Sequence, residues 1–169
     1  MTKDCLEIER KFLIRRPGAE WLETKAEGTD ILQTYLVKRE KGLSGRVRKR
    51  SGKNGTVYTH TEKRHISAMS REEYEREISE EEYRELLLQA DPERRPIEKR
   101  RYVLMYKGQC FEIDLYPFWH DRALMEIELE DEAQEVDFPP EIEIIKEVTE
   151  DRRYTNSSMA LNIPFDPID

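Results

Sequence analysis

Charged residues spaced two apart recur along this chain in pairs of one sign, and no other feature limits the fold as strongly. Acids pair as Glu7/Glu9, Glu73/Glu75, Glu112/Asp114 and Glu126/Glu128. Bases pair as Arg46/Arg48 and Lys99/Arg101, with Lys11 and Lys63 as singles. In a β-strand, residues i, i+2 and i+4 share one face. Each pair therefore predicts a strand with one charged face. Ile8, Val47, Ile113, Leu115, Ile127 and Leu129 lie between or beside the charges and supply an apolar opposite face.

Composition sharpens the constraint. Charged residues make up 39% of the chain and hydrophobic ones 37%, which is polar for a folded domain. Two Trp, eight Tyr and the regular strand-like runs speak against disorder. A polar interior is the remaining explanation. A length of 169 residues suits one domain over 1–169. The net charge of −8 opposes general binding to nucleic acid, although bases cluster locally at Arg46–Arg50 and Lys99–Arg101. Cys5 and Cys110 have no metal-binding spacing and fit a reducing cytoplasm. No apolar run is long enough for a signal peptide or membrane span, so a cytoplasmic protein is expected.

Period-two alternation predicts strands over 5–14, 31–38, 46–50, 57–65, 72–78, 97–106, 109–116 and 124–129, with a last short strand at 142–147. Gly42–Gly45 reads as a turn, and Gly52-Lys53-Asn54-Gly55 as a hairpin turn. Helices are expected at 19–26, at 79–89 behind the capping box Ser79-Glu80-Glu81-Glu82, at 131–136, and after Thr149. About eight strands joined mostly by short turns indicate an antiparallel barrel or strongly curved sheet.

Two arrangements fit the charge pairs. One is an open sheet with its charged face in water and its apolar face on helices. The other is a closed barrel with charges inside and helices outside. Such a barrel needs an occupant, because interior charges must balance one another or hold ligands. Grouped Arg and Lys suit phosphoryl oxygens. Grouped carboxylates suit a hard divalent cation, Mg²⁺ or Mn²⁺. Together they describe a metal–polyphosphate site.

Glu7-Ile8-Glu9-Arg10-Lys11 resembles the ExExK signature of the CYTH superfamily, the triphosphate tunnel metalloenzymes. The resemblance continues in order through Arg46-Val47-Arg48, Thr61-Glu62-Lys63, Ser70-Arg71 with Glu73 and Glu75, Lys99-Arg100-Arg101, Glu112-Ile113-Asp114, Glu126-Ile127-Glu128 and Glu147–Asp151 with Tyr154. It implies a mainly β fold: an eight-stranded antiparallel closed barrel, or tunnel, with a charged interior and flanking helices. By the same resemblance Lys11, Arg46, Arg48, Lys63, Lys99 and Arg101 bind phosphate. Glu7, Glu9, Asp114, Glu126 and Glu128 bind metal, Mg²⁺ or Mn²⁺. Glu7, Glu9, Lys11 and Glu128 are the expected catalytic group. Glu73, Glu75 and Glu112 match further charged positions.

The implied activity is metal-dependent hydrolysis of inorganic triphosphate or a related small triphosphate. The alternatives are a thiamine triphosphatase, a class IV adenylate cyclase, and a polyphosphate- or nucleotide-binding module without turnover. Class IV cyclases carry a His-Phe pair shortly before ExExK, whereas residues 1–6 contain no His. The three His, at 60, 65 and 120, read as ordinary surface or turn residues, and Trp21 and Trp119 as packing residues. All acidic pairs are intact, which favours an active enzyme. An apolar outer barrel face would be covered by helices of this chain or by a second subunit, as in a homodimer.

Overall fold

The computed structural model describes residues 8–65 and 71–169. Glu7, Cys5 and Ser70 lie outside the described residues. The strands are β1 (Ile8–Arg15), β2 (Gly28–Tyr35), β3 (Leu43–Gly52), β4 (Gly55–His65), β5 (Arg71–Ile78), β6 (Ile97–Tyr106), β7 (Gln109–Leu115), β8 (Arg122–Leu129) and β9 (Ile144–Glu147). The helices are α1 (Ala19–Lys25), α2 (Glu80–Leu87) and α3 (Asn156–Met159), with a 3₁₀ turn over Arg152–Tyr154. Every described strand pairing is antiparallel, so the fold is mainly β, as expected. No helix among the described residues is long and apolar enough to cross a membrane.

The chain divides into two compact units. The first holds the chain up to Gly28, Arg100–Arg152 and Asp166–Asp169. Its strands run in the order β6-β7-β8-β1-β9. Alternation places Phe12, Ile14, Tyr102, Leu104, Phe111, Ile113, Met125 and Ile127 in one apolar core, with Leu22 of α1 fully buried and Trp21 packed against it. Each such side chain contributes about 2 kcal/mol by leaving water. Trp119 is likewise a packing residue, edge-on to Tyr116 and Phe118. The β6–β7 hairpin turns on Lys107 and Gly108, both at positive φ (47° and 76°), as a two-residue turn of the primed type requires. That turn pairs Tyr106 with Gln109 and thereby sets Arg101 opposite Asp114.

The second unit holds Thr29–Lys99 and Arg153–Phe165, with strand order β5-β4-β3-β2. Leu36, Val47, Ile78 and Tyr83 form its apolar cluster, and Tyr58 meets Tyr83 at 4.7 Å between ring centroids. Ser79 caps α2 by accepting from Glu82 N–H at 3.1 Å. The Glu82 carboxylate does not return the bond of a full capping box. It pairs with Arg76 at 3.0 Å. The Gly52–Gly55 turn behaves as the sequence indicates, and it sets Arg48 opposite Thr59.

Four local expectations are corrected. Residues 131–136 form no helix: Asp131 and Gln134 side chains accept backbone N–H groups in a turn. Thr149 caps no helix, because its hydroxyl is held by Glu147 and Lys11; Thr155 caps α3 instead, accepting from Ser158 N–H at 3.2 Å. The second strand starts at Gly28 and ends at Tyr35, three residues earlier than alternation indicates at each end. Leu43–Gly45 belongs to β3 rather than to a turn.

Candidate active site

One face of the first unit is apolar and the other carries the acids. Glu9 lies opposite Glu128, and Lys11 opposite Glu126, across β1 and β8. Glu126 lies opposite Glu112 on β7, and Asp114 opposite Arg101 on β6. Backbone hydrogen bonds fix how close these pairs come. Lys11 N–H donates to Thr149 Oγ1 at 3.0 Å, and Lys11 C=O accepts from Val148 N–H at 2.8 Å. Both bonds leave on the β9 side. Lys11 and Glu126 are therefore a non-hydrogen-bonded pair of β1 and β8, the class that brings side chains closest. Glu9 and Glu128, two residues along, share that class.

The charges on this face are partly committed to one another. Lys11 Nζ meets Glu126 Oε1 at 3.1 Å. Arg101 forks onto Asp114 through Nε and Nη2, at 2.8 and 2.9 Å, and reaches Glu112 at 3.2 Å. Burial opposes the guanidinium charge, but the hydrogen bonds and charge of Asp114 outweigh it and hold the Arg101 pKa above its usual range. Glu9 titrates above its ordinary value. Partial desolvation is the largest cause, followed by the charges of Glu126 and Glu128, while Lys11 works the other way. Glu128 has no such cation beside it in the described ion pairs.

These residues fit a hard cation by donor type, since every acid on the face offers carboxylate oxygen. Among the described residues, no three His, Cys, Asp or Glu side chains gather closely enough to hold a metal ion by themselves. Glu9 and Glu128 remain opposed carboxylates across β1 and β8. Asp114, an expected ligand, is engaged by Arg101, and Glu126 by Lys11.

The bases of the second unit form a separate row. Arg46 lies opposite Tyr35 and Thr61, and Arg48 opposite Gln33 and Thr59. Lys63 lies opposite Ser44 and Glu73. Lys99 is buried at 2% exposure. Arg48 Nη2 donates to Gln33 Oε1, and Gln33 Nε2 donates to Tyr35 Oη at 3.3 Å. Burial raises the Tyr35 pKa, against the lowering influence of Arg46 and Gln33. Thr61 Oγ1 donates to Glu75 at 2.9 Å. Arg46 Nε and Thr59 Oγ1 are buried and make no hydrogen bond among the described residues. His60 lies opposite Val47 and Arg76, on the face away from Arg46 and Arg48, and burial lowers its pKa.

Charge-collecting reasoning misses Gln33 and Tyr35, because neither is charged. Their spacing of two, continued from Ile31, is the signal that could have found them, once β2 is placed beside β3.

The profile of the CYTH domain matches residues 6–160. The chain belongs to the CYTH domain family. Its CYTH relatives include the inorganic triphosphatase of Nitrosomonas europaea, 37% identical over 162 residues, covering 94% of this chain and 99% of that protein. The inorganic triphosphatase of Acetivibrio thermocellus is 34% identical over 157 residues, covering 92% and 94%. A crystal structure of an inorganic triphosphatase superposes with a TM-score of 0.64 at 32% identity, covering 94% of this chain and 97% of the other. The CYTH profile spans segments of both units, and the strand pattern described above is the family's β fold in this chain.

Proposed function

We propose that this protein is an inorganic triphosphatase that uses Mg²⁺ or Mn²⁺ to split the terminal phosphoanhydride of tripolyphosphate, within one CYTH domain over 1–169. The observation that carries the reading is the directly opposed pair Glu9 and Glu128. Two like charges in a close cross-strand pair are repulsive, and a cation offsets that repulsion. Two relatives at 34–37% identity named for this activity support the choice of substrate.

In this reading Glu9 and Glu128 hold the ion, Glu7 and Glu126 serve as further ligands, and Asp114 acts through Arg101. A bound divalent cation would neutralise charge on phosphate oxygens and acidify a coordinated water. Arg46 and Arg48 present guanidinium forks to phosphoryl oxygens, while Lys63 and Lys99 act as point charges. Lys11 and Arg101 balance carboxylates and phosphate as charge moves to the leaving group. One of Glu7, Glu9 and Glu128 takes the proton of the attacking water. Thiamine and nucleoside triphosphates are the competing substrates, since they share the phosphate chain. We place the protein in the cytoplasm, a reducing compartment that suits two cysteines without metal-binding spacing.

Turnover of inorganic triphosphate, thiamine triphosphate and ATP, each with Mg²⁺ or Mn²⁺, tests the reading. Inorganic triphosphate should be preferred by kcat/KM. Preference for thiamine triphosphate, or formation of cyclic AMP from ATP, would replace it.

A further inference from the structure

We infer that Thr59 is a further substrate-binding residue, whose hydroxyl is a neutral ligand for a phosphoryl oxygen. The inference rests on the triphosphatase reading and adds a group that no charge pattern points to. The two-residue turn after Gly52 places Thr59 opposite Arg48, so both side chains stand on one face of β3 and β4. Thr59 Oγ1 is buried and makes no hydrogen bond among the described residues. Arg46 Nε, two residues along β3 on the same face, is in the same position.

Buried polar atoms are ordinarily satisfied, and an exception calls for a reason. The neighbouring hydroxyl of Thr61 shows the ordinary case, because it donates to Glu75 at 2.9 Å. Thr59 has the equivalent carboxylate opposite it, Glu77, and does not bond to it. Both unmet groups on this face can donate: a guanidinium N–H and a hydroxyl. Two donors on one row beside a second arginine call for an acceptor of high charge density. A phosphoryl oxygen meets that demand. A hydroxyl adds a directional bond without adding to the positive charge of the row, so it favours the anion's geometry as well as its charge.

The test is Thr59→Val, which keeps shape and removes the hydroxyl, with Thr59→Ser as the rescue and Thr59→Ala as a second variant should the valine disturb folding. Thermal stability without ligand and binding of inorganic triphosphate with Mg²⁺ are measured for each. Thr59→Val should melt at or above the wild-type temperature and bind on the order of 10-fold more weakly. Thr59→Ser should bind as wild type does. A valine or alanine variant that melts lower and binds triphosphate normally would overturn the inference, because the hydroxyl would then serve the fold. If the wild type itself fails to bind triphosphate, the triphosphatase reading falls and this inference with it.

Discussion

Glu9 and Glu128 face each other across β1 and β8 in the closest class of antiparallel pair, because the Lys11 backbone bonds leave toward Thr149 and Val148. Like charges so placed cost up to ~1 kcal/mol. Phe12, Met125 and Ile127 on the reverse face each contribute about 2 kcal/mol. The fold easily carries the repulsion, so stability supplies no reason to keep it. The cation of the proposed function would supply one.

Replacing one of the two carboxylates separates those roles. Glu9→Gln should leave the metal-free melting temperature unchanged or slightly raised, since it removes the repulsion. Metal-dependent turnover should fall by more than ~100-fold, the upper loss seen for groups merely adjacent to metal ligands. Steady-state rates across a Mg²⁺ titration check this, and normal turnover would remove Glu9 from the metal site.

Arg48→Ala removes a guanidinium from the basic row and leaves Gln33 Oε1 without that donor. KM for inorganic triphosphate should rise roughly 10- to 100-fold, the range for hydrogen bonds to a charged group. The change in kcat should be smaller. An unchanged KM would mean that Arg48 does not touch substrate.

Asp114 behaves in this structure as a strut for Arg101 before it behaves as a ligand. The two side chains are 7% and 15% exposed and joined by two short bonds. Asp114→Ala leaves a largely buried guanidinium with Glu112 alone and should destabilise the fold by about 3 kcal/mol. Urea unfolding measures it. A loss under ~1 kcal/mol combined with lost turnover would assign Asp114 to the metal instead.

A surface clasp behind Lys11 gives a pH prediction. Arg10 Nη2 meets Glu147 Oε1 at 2.6 Å, and Thr149 Oγ1 donates to Glu147 Oε2 at 2.6 Å. Those bonds, from Arg10 first and Thr149 second, hold the Glu147 pKa below its ordinary value of 4.5. A lowered carboxylate pKa stabilises the fold above that ordinary value, and the gain is lost as pH falls through the lower folded one. Glu147 is 40% exposed, so the gain is no more than ~1 kcal/mol. Melting curves below pH 4.5 should fall less steeply for Glu147→Gln than for wild type. Parallel curves would remove the clasp from the stability of β1.

Much of this arrangement is legible from spacing alone. Alternation identifies β6, β7 and β8 closely, because turn residues bound them and both faces have a clear character. Their charged faces follow, and with them the family. The ends of β2 are misjudged because Leu32, Thr34 and Leu36 alternate as well as Ile31 and Gln33 do. The local pattern does not say where pairing with β3 stops. Thr149 reads as a helix cap because its neighbours Glu150 and Asp151 suit a first turn. Its hydroxyl is taken by Glu147 and by Lys11, more than a hundred residues away in sequence. Gln33, Tyr35 and Thr59 are neutral, so only the strand register reveals that they share a face with Arg46 and Arg48.

Product analysis with inorganic triphosphate is the most direct test of the central claim. The purified protein is incubated with tripolyphosphate and Mg²⁺ or Mn²⁺, and again with excess chelator. The expected result is equimolar pyrophosphate and orthophosphate with either metal, and neither product with chelator. Triphosphate that binds but is not cleaved with either metal, or cleavage that persists in chelator, would contradict a metal-dependent triphosphatase built on Glu9 and Glu128.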